Sequence, residues 1–554
     1  MRNLILFLLI LASVSCSNQN KDNKGSDTHV KIKQNAGEEE QDDTTMISFR
    51  VLDSKILEKK VLLSPFEIEL FQFTKKKYDS LKPLILEKNL EELQANVAEG
   101  VFNYEDLTLF YLYRIREIDR ENNYSLNSIV NLNSQVLTDA RLRDRNYKNT
   151  QNKSLIYGIP VLLKDNINTA SMATTAGALA LEENTTASAY ITNQLQKNGA
   201  LILGKANMSE LGYYFCEDCP SGYSTIGGQT FNPYGRRTFD TGGSSSGSAV
   251  AVAANLAPVS VGTETVGSIL SPASQNSVVG LKPTVGLISR NGILPISKNL
   301  DTPGSITKTV ADNAILLSAM AGRDTLDTKY YPDSLGIPTD YYTHLKDSAS
   351  VNGVRFGVIE SLKNDSLYAK AIEDLKKAGA QIVTFTPKEV DLTNFTTLLD
   401  LDMKKDLNNY LDKFVKRKVN SIEEILEYNQ KDKITRIPYG QSILESVVKT
   451  DTSIAKEKYE AIRDILLAEG QRYFKVPMKK YNLDAVLSIN NYHAGYAAAA
   501  EYPAITVPMG YKETGEPVGL TIISVPYSEQ NLLRWAYIYE KATQQRKPPK
   551  DYMN

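Results

Sequence analysis

Two serine clusters and one lysine carry the residue types needed for covalent acyl chemistry. The clusters are Gly242-Gly243-Ser244-Ser245-Ser246-Gly247-Ser248 and Gly262-Thr263-Glu264-Thr265-Val266-Gly267-Ser268. The lysine, Lys164, ends the apolar run Gly158-Ile159-Pro160-Val161-Leu162-Leu163. Serine hydrolysis requires a nucleophile, a base and donors for the oxyanion, and in a Ser-His-Asp triad the base is histidine. This chain has three histidines in all, and His29 lies in a polar segment near the N-terminus. Lysine is the base that the sequence offers.

Two other chemistries compete for the same residues. The stretch Thr241 to Asn255 is a glycine-rich loop leading into small residues, Ala249 to Ala254, whose N–H groups could hold a phosphate. It lacks the terminal Gly-Lys-Ser/Thr of a nucleotide-binding loop. Gly243-Ser244-Ser245-Ser246-Gly247 also fits the G-x-S-x-G elbow of α/β-hydrolases, with His493 as the base. That elbow needs an apolar strand directly before it, and Gly235 to Asp240 reads Gly-Arg-Arg-Thr-Phe-Asp.

Taken with Lys164, the two clusters resemble the amidase signature family. The matching text is Gly158 to Asn166, Gly204-Lys205-Ala206-Asn207, Gly228-Gln229-Thr230 with Asn232-Pro233, both serine clusters, Gly280 to Thr284, and Asp301-Thr302-Pro303-Gly304. The resemblance runs from about Pro83 to Pro548 and includes Tyr502 to Pro508. With Glu264 in the second cluster, the chain looks most like the branch that holds peptide amidases. The resemblance implies a catalytic lysine at Lys164, a bridging serine at Ser244 that follows a cis Gly243–Ser244 peptide, and a nucleophile at Ser268. It also implies an oxyanion loop from Thr265, Val266 and Gly267, a carboxamide substrate (a small molecule or a peptide amide), and no metal or organic cofactor. Serine esterase, catalytically weak binding protein and amidotransferase glutaminase subunit are the alternatives.

Three residues depart from the family text. Val266 stands where Gly or Asp is usual, Ser246 replaces a glycine, and Leu270 replaces an arginine. A β-branched residue at 266 would disturb the loop if that position required unusual dihedrals. Neither the lysine nor either key serine is lost.

These residues must be positioned by an ordered scaffold, and the chain is long enough to build one. With 554 residues, 42% hydrophobic and 23% charged, it can bury a large core, and a net charge of -2 gives no electrostatic invitation to nucleic acid. Helical periodicity runs through Leu86, Leu90, Leu93 and Val97, and through Leu107, Phe110, Tyr111, Ile115 and Ile118. Residues 154–163 read as a strand interrupted by Pro160, hence an edge or a strand start. A helix over 185–198 precedes a buried strand at 201–204. Strand and helix alternate again over 354–359, 367–378 and 381–385, with further strands at 504–507 and 518–524. This alternation predicts an α/β fold. The resemblance makes it one large domain over 46–554, a mixed β-sheet covered by helices on both faces. Residues 392–480 read as a helical insertion shaping the substrate cleft.

The start of the chain differs in character. Arg2, an apolar run from Leu4 to Val14 and then Cys16 resemble the signal and lipobox of bacterial lipoproteins. This implies a signal peptide over 1–15, lipidation of Cys16, a disordered tether over 16–45 and an exported protein anchored in a bacterial cell envelope. In such a setting Cys216-Glu217-Asp218-Cys219 favours a local disulfide, with free thiols or a metal or redox role as alternatives.

Overall fold

The coordinates are a computed structural model, and they describe residues 46–553 apart from 332, 344, 346–349 and 416–418. The expected signal peptide over 1–15, Cys16 and the whole tether over 16–45 lie outside the described residues. Those that are described fall within one compact unit, Glu38–Asn554.

Eleven strands form the main sheet and two form a small hairpin. In chain order they are β1 Ile129–Leu132, β2 Pro160–Lys164, β3 Leu201–Ala206, β4 Tyr223–Ser224, β5 Gly228–Gln229, β6 Val259–Glu264 and β7 Val279–Lys282. These are followed by β8 Thr302–Thr307, β9 Arg355–Ile359, β10 Gln381–Phe385, β11 Ala485–Ile489, β12 Ala504–Tyr511 and β13 Pro517–Ile523. β4 and β5 pair with each other. The main sheet runs β1-β3-β2-β6-β8-β7-β12-β13-β11-β9-β10. It is mixed: β2 lies parallel to β3 and β6, β9 lies parallel to β10 and β11, and the remaining pairs are antiparallel.

Every residue of β2, β3, β6, β8, β11 and β13 is buried. Such strands are covered on both faces, which is why β2, β11 and β13 read as near-continuous apolar runs rather than alternations. The helices Ser246–Ala253, Leu270–Gln275, Val310–Met320 and Glu529–Thr543 pack against them.

The local expectations shift where side chains take other work. The strand expected over 154–163 begins only at Pro160 and sits between β3 and β6, not at an edge. Gly158 turns the chain just before it at φ +71°, packed on the ring of Tyr104, where a Cβ would collide. The helix expected from Leu86 starts at Leu90, because Asn89 and Glu92 close a capping box there. The helix expected over 185–198 is Tyr190–Lys197. Before it, Ser188 Oγ accepts from Ala170 N–H (3.0 Å) and Ala189 N–H bonds Asn168 O (3.0 Å), tying this segment to the loop after β2.

Among the described residues, five helices run between β10 and β11, Phe395–Phe414, Ile422–Gln430, Lys433–Arg436, Ser442–Lys449 and Lys456–Tyr481. Their apolar faces share a core with Met208, Leu211, Phe215 and Ile296, and Val266 packs at its margin. No helix among the described residues is long and apolar enough to cross a membrane.

Candidate functional site

β2 and β6 are parallel neighbours in register from Val161↔Val259 to Leu163↔Val261. Their carboxyl ends therefore lie side by side, and each ends in a group with chemistry: Lys164 on β2, Glu264 and the loop behind it on β6. The segment before the helix Ser246–Ala253 lies against the same end, because Ser245 N–H donates to Ser268 O at 3.1 Å. Three segments far apart in the chain thus meet at one point.

Lys164, 1% exposed, donates from Nζ to Ser244 Oγ at 2.8 Å and to Thr263 O at 2.9 Å. Burial pulls the Lys164 ammonium down to about 7, while the Asp301 and Glu264 carboxylates pull it back up. An amine held there has a large neutral fraction at neutral pH and can accept a proton. Ser244 follows a cis Gly243–Ser244 peptide and is itself buried. The neighbouring serines hold the loop: Ser245 Oγ donates to Thr263 O (3.0 Å) and accepts from Thr263 N–H (3.2 Å). Ser246 Oγ donates to Gly242 O (2.5 Å) and Ser248 Oγ to Val261 O (3.3 Å).

The loop from Thr265 to Leu270 divides its N–H groups in two. Those of Ile269 and Leu270 donate to Glu264 Oε2, at 2.7 and 3.0 Å. Among the described residues, those of Thr265, Val266, Gly267 and Ser268 bond no acceptor. Four consecutive free donors beside a serine hydroxyl suit an oxygen that gains negative charge. Gly267 carries the left-handed turn at φ +83°, and Val266 is not among the residues with positive φ. The departure at 266 therefore asks nothing unusual of a β-branched residue. Leu270, which stands where the family has arginine, is fully buried in apolar surroundings, and Glu264 Oε1 has no partner among the described residues.

Asp301 opens the matching text Asp301-Thr302-Pro303-Gly304, but the sequence gives it no role at the site. It is buried, accepts from Thr265 Oγ1 at 2.5 Å and from the N–H groups of Ile296 and Ser297 at 2.9 and 3.0 Å. Burial pushes its carboxyl up to about 7. The signal was the pairing of β6 with β8, which sets Glu264 opposite Thr302 and so brings Asp301 to the loop. A cavity of about 20 Å³ beside Ser244, lined also by Asn166, Met208, Leu211, Thr265 and Asp301, has room for about one water.

His493 does not serve the serines. Its Nδ1 lies 2.6 Å from Ser488 Oγ, its ring sits beside Tyr473 and Tyr496, and burial lowers it to about 4. Among the described residues no strand runs directly into Gly243, so the hydrolase-elbow reading has no scaffold. Cys216 and Cys219 are joined as a disulfide. Among the described residues no group of three or more His, Cys, Asp or Glu side chains is arranged to hold a metal ion.

The family described as Amidase matches residues 106–533. A protein of Arabidopsis thaliana named as an amidase is 36% identical over 84% of this chain and 92% of its own length. A protein of Schizosaccharomyces pombe named as an amidase is 30% identical over 84% of this chain and 86% of its own. Among solved structures, an amidase family protein from Bacillus anthracis superposes with a TM-score of 0.84 at 36% identity, covering 90% of this chain and 99% of that one. Peptide amidase from Stenotrophomonas maltophilia gives 0.78 at 37%, covering 84% and 98%.

These comparisons overturn one expectation. An exported protein anchored in a bacterial cell envelope was expected from residues 2–16, but the relatives that align over most of the chain include plant and yeast proteins, whose cells have no such envelope. Membrane attachment through a lipid on Cys16 has no support in them either. The family and its chemistry are another matter: this chain belongs to the amidase signature family, and the bond it hydrolyses is the C–N bond of a carboxamide.

Proposed function

We propose that the chain hydrolyses linear carboxamides, the terminal amide of a peptide among them, through Ser268 as nucleophile, Ser244 as bridge and Lys164 as base. The observation that carries this reading is the 2.8 Å contact from a fully buried, weakly basic Lys164 to Ser244 Oγ. Neutral Lys164 takes the Ser244 proton as Ser244 takes that of Ser268. Ser268 Oγ then attacks the amide carbon, and the N–H groups of Thr265, Val266, Gly267 and Ser268 receive the oxyanion. The proton returns along the same path to the leaving amine or ammonia, and water hydrolyses the acyl-enzyme to the carboxylate. Among the described residues no hydrogen bond joins Ser268 Oγ to Ser244, so the last link of the relay forms as substrate binds, as catalytic contacts often do. The helices of residues 395–481 share their core with the loop around Leu211 and Val266, which supports a part for them in shaping the substrate cleft.

The test is a fluorophosphonate probe together with a panel of C-terminal peptide amides, aryl amides, fatty amides and matched esters. Wild type should be labelled and turn over linear amides, and Ser268→Ala should lose both labelling and turnover with its fold intact. Labelling that survives in Ser268→Ala would remove the serine assignment. Turnover of esters alone would make the protein an esterase.

A further inference from the structure

A continuous chain of buried polar groups ties the loop around Thr265 to the helices between β10 and β11. Asp301, which holds Thr265 Oγ1, is itself held by the turn before it. The N–H groups of Ile296 and Ser297 donate to its Oδ2, and its own N–H donates to Ser297 O at 2.8 Å. Ser297 is fully buried, so its hydroxyl needs a partner inside the protein. That partner is Asp402 of the helix Phe395–Phe414, 105 residues further along the chain.

Asp402 is 1% exposed, and donors converge on it from two directions. Its Oδ2 accepts from Ser297 Oγ and from Asn299 Nδ2 at 2.9 Å, and its Oδ1 accepts from Tyr459 OH at 2.5 Å. Asn299 Nδ2 also donates to Tyr459 OH at 2.6 Å, which brings in the helix Lys456–Tyr481. Four residues beyond Asp402, on the same helix face, Asp406 Oδ2 accepts from Lys298 N–H at 2.8 Å. Two carboxylates of one helix thus grip the consecutive residues 297–299, and the same turn clasps Asp301. A carboxylate offers acceptors alone, which is what these donors require. An amide in its place would turn an NH₂ toward a group that also donates.

We propose that Asp402 is a positioning residue for amide hydrolysis: through Ser297 and Asp301 it fixes Thr265, and so the aim of the Thr265 N–H at the reacting carbonyl. The inference rests on the reading of Thr265 to Ser268 as the oxyanion donors. Such donors act only within hydrogen-bond reach of the developing oxygen, and a displacement of about 1 Å costs about a hundredfold in rate. Because Thr265 Oγ1 is anchored on Asp301, that aim is set from outside the loop. The helices of residues 395–481 then do more than border the cleft, since two of them hold the turn on which the loop depends.

The experiment measures kcat and KM of the full-length protein on the linear amide that wild type turns over fastest. Beside them it measures inhibition by the trifluoromethyl ketone of the same acyl group, whose serine adduct carries an oxyanion. Asp402→Asn should lower kcat about tenfold to a hundredfold, leave KM within about twofold, and weaken the ketone by the same factor as kcat. Because Asp402 is buried and its variant can misfold, Tyr459→Phe removes one donor at a half-buried position and should give the same pattern at about threefold. Lys404→Met on the same helix is the control. It frees Val448 O and Thr450 O within the helical segment, outside the chain to Ser297, and should lower the thermal midpoint with kcat unchanged. A kcat within about twofold of wild type in both Asp402→Asn and Tyr459→Phe, a rise in KM at unchanged kcat, or an equal fall of kcat in Lys404→Met would each overturn the inference. Ser268→Ala separates it from the reading beneath. Turnover retained there overturns that reading, whereas turnover lost there beside an unaltered Asp402→Asn overturns the positioning role alone.

Discussion

Replacing Lys164 by methionine should stabilise the fold while it removes the proposed base. Burial lowers the amine from its ordinary 10.5 to about 7. Between those values the unfolded chain holds a proton that the folded chain has released, so stability rises with pH across that window. Keeping this lysine buried therefore costs about 4 kcal/mol at pH 7 and about 2 kcal/mol at pH 9. Against that cost stand its bonds to Ser244 Oγ and Thr263 O, worth about 2 kcal/mol together. Thr263 O keeps Ser245 Oγ as a second donor, and methionine fills the vacated apolar space flexibly. The net gain for Lys164→Met is about 2 kcal/mol at pH 7 and near zero at pH 9. For a chain of 554 residues the unfolding entropy makes that a rise of about 2 °C in Tm at pH 7. Scanning calorimetry at one scan rate and both pH values measures it, with amide turnover followed in parallel. Turnover should fall by about 10²- to 10⁴-fold, the usual worth of a general base. A variant destabilised equally at pH 7 and pH 9 would refute the reasoning, because it would mean that the lysine stays charged and stabilising in the fold.

Three further outcomes follow from the site. His493→Ala should change kcat/KM on an amide by less than about threefold, since the ring serves Ser488 and its aromatic neighbours; a collapse of activity in a folded variant would restore histidine as the base. Val266→Gly should alter the rate by less than about tenfold, or 1.4 kcal/mol, because Gly267 already supplies the left-handed turn; a hundredfold gain would expose a damaged oxyanion loop in the natural protein. Glu264→Ala should lower Tm by about 2–6 °C, the cost of two buried N–H groups left without an acceptor, and should slow turnover at least about tenfold; an unchanged rate would separate the loop's geometry from that carboxylate.

How much of this could be read from the sequence varies with the kind of contact involved. The strands containing Val161 to Lys164, Leu201 to Ala206 and Arg355 to Ile359 were legible because largely buried strands write themselves as apolar runs bounded by glycine and polar residues. Helix starts were less so: Leu86 and residues 185–189 fit the periodicity, yet Asn89 caps a later start and Ser188 is occupied with Ala170. Lys164, Ser244 and Ser268 are proposed from the family's text, and the fold brings Lys164 against Ser244. The contact of Asp301 with Thr265 and the division of N–H groups by Glu264 lie in strand pairing and in loop hydrogen bonds, which the matching text does not spell out.

The distances in sequence at the Lys164 contacts also bear on how the enzyme comes into being. Lys164 reaches across 80 residues to Ser244 and 99 to Thr263, and the site is closed by β8, which ends at Thr307. On a chain emerging from the ribosome, Lys164 is solvated and protonated, and stays so until β2, β6 and β8 have met and excluded water. Contacts of this range form late, after the loop entropy between them has been overcome. On the proposed assignment, a growing or partly folded chain displays its serines without a base to arm them, and hydrolytic power appears together with the packed sheet.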